Sequence, residues 1–123
     1  MNTRNINKNW DKYVNTLSNE YGKHTKLIWI SKRRRKYILE FAHSGILVIN
    51  DEIFQFKDIL SCRMEKAPYI PEIMDNASEP FILLIGTACR TNMLISLTVW
   101  RERTSNMIYK TIQEIIQSNM KAQ

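Results

Sequence analysis

Apolar positions along the chain follow a helical period, then an alternating one, then a helical one again. From Asn9, the residues Trp10, Tyr13, Val14, Leu17 and Tyr21 recur at 3.6-residue spacing. Asn9 offers an N-cap and Gly22 a left-handed stop, so the spacing predicts a short amphipathic helix over 8–22. After Gly22, β-branched and aromatic runs separated by turn residues predict antiparallel strands through 25–100. The first is Thr25–Ser31, followed by a basic turn at Lys32-Arg33-Arg34-Arg35 and a return over Lys36–His43, with Tyr37, Leu39 and Phe41 on one face. Ser44-Gly45 leads into Ile46–Ile49, Asn50-Asp51 into Glu52–Phe56, and Lys57-Asp58 into Ile59–Met64. Strand texture resumes at Phe81–Thr87 and closes with Met93–Trp100, where Met93, Ile95, Leu97 and Val99 alternate against Leu94, Ser96, Thr98 and Trp100. Thr104 or Ser105 then caps a helix over 104–121, with Ile108, Ile112, Ile115, Ile116 and Met120 on its apolar side and Lys110, Gln113, Glu114 and Gln117 opposite.

Seven short strands must hide their apolar face by folding on themselves, and a terminal helix laid across the open end covers what they leave exposed. The expected fold is therefore mainly β within the α+β class. It is a seven-stranded antiparallel barrel or folded sheet with a C-terminal helical cap and an additional N-terminal helix, in a single domain over 1–123. All three prolines fall in or at the edge of Lys66–Pro80, which reads as a long loop exposing Tyr69, Ile70, Ile73 and Met74. That loop is a candidate partner-binding element through Tyr69 and Ile70, or a lid folded back on the strands.

Composition adds a charge asymmetry. The net charge is +6 overall, but residues 1–49 hold ten Lys/Arg against Asp11, Glu20 and Glu40, while residues 50–123 are close to neutral. Basicity confined to one half points to one positive face and an anionic partner. Five adjacent cations, Lys32 to Lys36, repel one another and fit best where an anion sits among them. The alternative is a solvated turn whose charges guard a sheet edge.

Enzymatic signatures are missing from the pattern. His24 and His43 stand in no metal-ligating or triad spacing, Cys62 and Cys89 form no C-x-x-C, and three glycines write neither a P-loop nor a dinucleotide fingerprint. The expectation is no catalytic residue, no metal and no cofactor, with both thiols reduced. The polar start and the short apolar runs carry no secretory or spanning signature, which leads to an expected cytoplasmic location.

The stretch Gly45-Ile46-Leu47-Val48-Ile49-Asn50-Asp51-Glu52-Ile53-Phe54-Gln55-Phe56-Lys57-Asp58-Ile59-Leu60-Ser61 resembles the strand, turn, aromatic-x-aromatic, x-Asp-Ile-hydrophobic-Ser segment of small bacterial pleckstrin-homology-like (PH-like) domains. The similarity is clear over about 36–66 and extends by strand order to the last helix. It implies a PH-like fold and a binding or adaptor role rather than catalysis. In lipid-binding members of that fold the first hairpin commonly carries basic residues that hold inositol phosphates. The resemblance thus implies Lys26, Lys32, Arg33, Arg34, Arg35 and Lys36 as binding residues for a protein or an anionic surface, with peripheral membrane contact among the outcomes. A nucleic-acid role would use the same hairpin, with Tyr37 or Trp29 stacking on bases. A small enzyme with an unrecognised site is the third reading. The last helix could instead seat a weak homodimer, against a monomer in which it caps the strands.

Overall fold

The computed structural model describes residues 3–66, 80–89 and 93–121, with side chains described from Asn9 onward. Helix α1 (Thr3–Tyr21) leads into a four-stranded antiparallel sheet, β1 (Lys26–Ser31), β2 (Lys36–Phe41), β3 (Ile46–Ile49) and β4 (Glu52–Gln55), in that spatial order. A 3-10 turn over Phe56–Asp58 passes to a three-stranded sheet of β5 (Ile59–Lys66), β6 (Phe81–Thr87) and β7 (Leu94–Val99), and α2 (Glu102–Lys121) closes the chain. The protein is thus α+β, with seven antiparallel strands in two sheets and a helix at each end. Among the described residues no strand pairing joins one sheet to the other.

The first sheet is buried on both faces, which explains the uninterrupted apolar run of β3, all four of whose residues are buried. On its outer face Tyr37, Leu39, Phe41, Ile46 and Val48 pack under α1, which contributes Trp10, Tyr13, Val14, Leu17 and Tyr21. The helical stripe read from the sequence is therefore a docking face for the sheet. On the inner face Ile28, Ile38, Leu47, Ile49 and Phe54 meet Cys62, Leu83, Ile85, Leu97 and Val99 of the second sheet, with Ile108, Ile112 and Ile115 of α2 between them. Phe56 packs partly against the same core.

Turn chemistry sets the strand register. Asn50 and Asp51 both take positive φ, 49° and 73°, in the two-residue loop pairing Ile49 with Glu52, as the twist of a tight hairpin demands. Gly22 (φ 89°) ends α1, its N–H donating to the Ser18 carbonyl at 2.9 Å.

Both helices depart from their expected bounds. Helix α1 starts at Thr3 rather than near Asn9, because Thr3–Lys8 holds neither Gly nor Pro to interrupt it. Helix α2 starts at Glu102, and Ser105 is no cap. Its N–H donates to the Arg101 carbonyl at 3.0 Å, and its buried hydroxyl sits 2.9 Å from Met64 Sδ. Met120, expected on the apolar face, is exposed. Gln113, expected on the polar face, donates to the Cys62 carbonyl at 3.1 Å, and Asn119 donates to the Phe56 carbonyl at 2.6 Å. These bonds satisfy carbonyls at the start of the second sheet and fix α2 across it. The Asp58 carbonyl accepts the Ala88 N–H at 2.8 Å. Residues 67–79, with Tyr69, Ile70, Ile73 and Met74, and the turn expected at Thr91-Asn92 lie outside the described residues.

Burial pushes the Cys62 thiol from its usual 9.0 up to about 11. Between those values the unfolded chain has lost a proton that the folded chain keeps, so stability present below pH 9.0 is lost as pH rises toward about 11. Urea midpoints measured across that window are expected to fall, and Cys62→Ala is expected to flatten that fall.

Candidate anion-binding site at the first hairpin

The β1–β2 loop is built by a local turn. The Arg35 N–H donates to the Lys32 carbonyl at 3.2 Å, and the Arg34 N–H to Ser31 Oγ at 3.3 Å. The bulge between Trp29 and Ser31 sets the loop against the strand register. Arg35 takes φ 54°, a conformation unusual for a side chain of its kind. Its surroundings account for it. The guanidinium lies 4.7 Å from the Tyr13 ring centroid, 5.6 Å from that of Trp10, and 3.4 Å from Asp51 Oδ1. Asp51 also accepts the Tyr37 hydroxyl at 2.5 Å, while Asn50 Oδ1 accepts the Tyr37 N–H at 2.8 Å. Trp10 caps this group, its ring centroid 4.6 Å from both Trp29 and Tyr37. Burial, followed by the hydrogen bond to Asp51, holds the Tyr37 phenol well above its ordinary range. One network therefore ties α1, the first hairpin and the β3–β4 turn together, and Arg35 belongs to it.

With Arg35 turned inward, the other hairpin cations face solvent: Lys32, Arg33, Arg34 and Lys36 are all exposed. They rim two clefts. One, of about 540 Å³, lies between the hairpin and β7, with Arg34, Lys36 and Asn50 on one side and Ser96, Leu97 and Thr98 on the other. The second, of about 430 Å³, is lined by Lys32, Arg33, Arg101 and Thr104. Ile30, Ser31 and Trp100 line both, and Trp100 is 57% exposed. No carboxylate lines either cleft among the described residues. Arg101, the residue before α2, and Thr104 in the helix's first turn reach the second cleft, which therefore lies near the positive end of the helix dipole. Cations, hydroxyls and the indoles of Trp29 and Trp100 make a lining suited to oxyanions.

Comparison of the chain with protein-family models, with curated proteins and with solved structures finds no match. The site therefore stands on its geometry.

The structure brings Lys32, Arg33, Arg34 and Lys36 around one pair of clefts. It does not bring Lys26 there. That residue starts β1 at the strand's far end, where its ammonium donates to Thr111 Oγ1 of α2 at 3.1 Å. Tyr69 and Ile70 lie outside the described residues. Sequence reasoning missed Arg101, Trp100 and the hydroxyls of Ser31, Ser96, Thr98 and Thr104. The outward alternation of Leu94, Ser96, Thr98 and Trp100 was the available signal, since it placed the indole on the solvent side of β7.

Proposed function

We propose that this chain is a non-enzymatic binding module of PH-like design, which takes an anionic partner between its first hairpin and β7. The observation that supports this reading is the pair of clefts rimmed by Lys32, Arg33, Arg34, Lys36 and Arg101, with Trp100 shared between them and no carboxylate in their lining among the described residues. An adaptor role fits better than catalysis because the clefts join cations and hydroxyls, whereas the shifted phenol of Tyr37 and thiol of Cys62 sit in packed cores. For a nucleic-acid partner the aromatic surface on offer is Trp100 and the part of Trp29 that lines the second cleft, not Tyr37. Tyr37 is fully buried, and Trp29 is half-buried against Trp10 with Lys32 above its ring. No helix among the described residues is long and apolar enough to cross a membrane.

The test leaves Arg35 in place, since its loss would disturb the fold. Binding of the wild type and of Arg33→Gln/Arg34→Gln is measured on vesicles containing phosphatidylserine, on heparin, and on duplex DNA at matched salt. At about 1 kcal/mol for each cation facing an anionic surface, the double variant is expected to bind about thirtyfold more weakly at low salt. Equal binding by the two proteins on every probe would refute the reading. A loss confined to DNA would replace it with nucleic-acid binding.

A further inference from the structure

We infer that the edge of β7 that no described strand pairs is a strand-addition site for an extended acidic peptide, seated in the cleft between β7 and the first hairpin. The inference rests on the anionic-partner reading above and specifies its chemistry.

Strand parity shows which backbone groups are on offer. The Thr87 N–H donates to the Met93 carbonyl at 2.9 Å, and every β6–β7 pair keeps the same register, Ile85 with Ile95, Leu83 with Leu97 and Phe81 with Val99. In an antiparallel ladder, hydrogen-bonded pairs alternate with non-bonded ones. Ile95, Leu97 and Val99 therefore turn their N–H and C=O toward β6, whereas Leu94, Ser96 and Thr98 turn theirs away. Among the described residues no strand pairs along that outward side.

An exposed edge is ordinarily guarded by a lysine, a proline or an inward charge. The β7 sequence Leu-Ile-Ser-Leu-Thr-Val has none of these. Its outward side instead forms a wall of the 540 Å³ cleft through Ser96, Leu97 and Thr98, with Arg34 and Lys36 opposite. A phosphorylated headgroup would satisfy the cations alone and leave the main-chain groups of Ser96 and Thr98 to water. A peptide in extended conformation satisfies both, pairing its backbone with β7 and presenting alternate side chains to Arg34 and Lys36. Acidic side chains match the cleft, which among the described residues supplies positive charge and no carboxylate.

The probe is a synthetic pool of short peptides with Asp or Glu at alternate positions and apolar residues between, measured by fluorescence anisotropy. The variants are Ser96→Pro, Thr98→Pro, Thr98→Ala and Arg34→Gln/Lys36→Gln. A proline whose missing N–H faces away from the ladder is tolerated at an edge, so both proline variants keep the β6 pairing, which thermal melts verify. Wild type and Thr98→Ala are expected to bind alike. Each proline variant is expected to bind about fivefold more weakly, and the charge variant is expected to lose affinity with a shallower salt dependence. In the wild type, hydrogen exchange at the Ser96 and Thr98 amides is expected to slow on addition of the pool. That readout decides the matter should a proline variant fail to fold.

Unchanged exchange, or proline variants that bind as wild type while the charge variant does not, would overturn strand addition and leave the anionic reading intact. Full binding by all variants would remove both. Binding to phosphatidylserine vesicles without binding to the pool would assign the cleft to a lipid surface. A concentration-dependent dimer abolished by Ser96→Pro would assign the edge to a second copy of the chain. Either of these last outcomes overturns the peptide assignment.

Discussion

A chain lacking α1 through Gly22 is expected to lose its fold, and Trp10→Ala alone is expected to lower the unfolding free energy by about 3 kcal/mol. Helix α1 supplies Trp10, Tyr13, Val14, Leu17 and Tyr21 to the outer face of the first sheet, where Tyr37, Leu39, Phe41 and Val48 are fully buried. Leu17 is buried and the other four are partly buried, so at roughly 1.5–3 kcal/mol for a fully buried side chain the five contribute on the order of 5–10 kcal/mol. A domain of this size has about 5–15 kcal/mol in total, so the deletion removes most of its margin. Guanidinium unfolding followed by far-ultraviolet circular dichroism checks both variants. The point substitution carries a second expectation. Trp10 covers Arg35, Trp29 and Tyr37 together, so Trp10→Ala is expected to raise amide exchange at Arg34 and Tyr37 more than at Ile85, whose core is remote from the helix. A deletion variant that folds and melts as wild type would show that α1 is an appendage.

The second large effect belongs to α2. Ile112 is fully buried where that helix meets both sheets, and Ile112→Ala is expected to cost about 3–4 kcal/mol by lost transfer and residual cavity. Ile116→Ala, only partly buried on the same helix, is expected to cost about half as much, which urea unfolding of both variants measures. Near-equal costs would mean that α2 does not sit between the sheets as described.

Much of the architecture was legible because each strand carries a local signal. The alternation of Tyr37, Leu39 and Phe41 grouped them on one face, though not as the face that α1 covers, and the unbroken run Ile46–Ile49 matches burial on two sides. The Asn50-Asp51 pair marked its hairpin through the positive φ that both residues adopt. Helix starts were less legible, because a serine or threonine preceding an apolar run signals a cap whether or not its hydroxyl is free. Ser105 is engaged with Met64 in the core.

The site was legible as a charge cluster and illegible as a geometry. A run of four basic residues in a loop does not disclose which one turns inward. That depends on the positive φ at Arg35 and on the aromatic rings of a helix more than twenty residues upstream. Lys26 reads as a neighbour of the hairpin by sequence, yet the length of β1 carries it to the opposite end, where Thr111 receives it. Arg101 and Trp100 reach the hairpin from the far end of the chain through packing of the two sheets, a long-range outcome with no local periodicity to report it.

The most direct test is an amide-resolved NMR titration of the wild-type protein with a heparin oligosaccharide as the anionic probe. Shift changes are expected at Ser31–Lys36, at Ser96–Thr98 and at Trp100–Thr104, and they should diminish as salt is raised. An absence of change in those three segments, with perturbation gathered instead on the solvent side of α1 or around β4 and β5, would contradict the account.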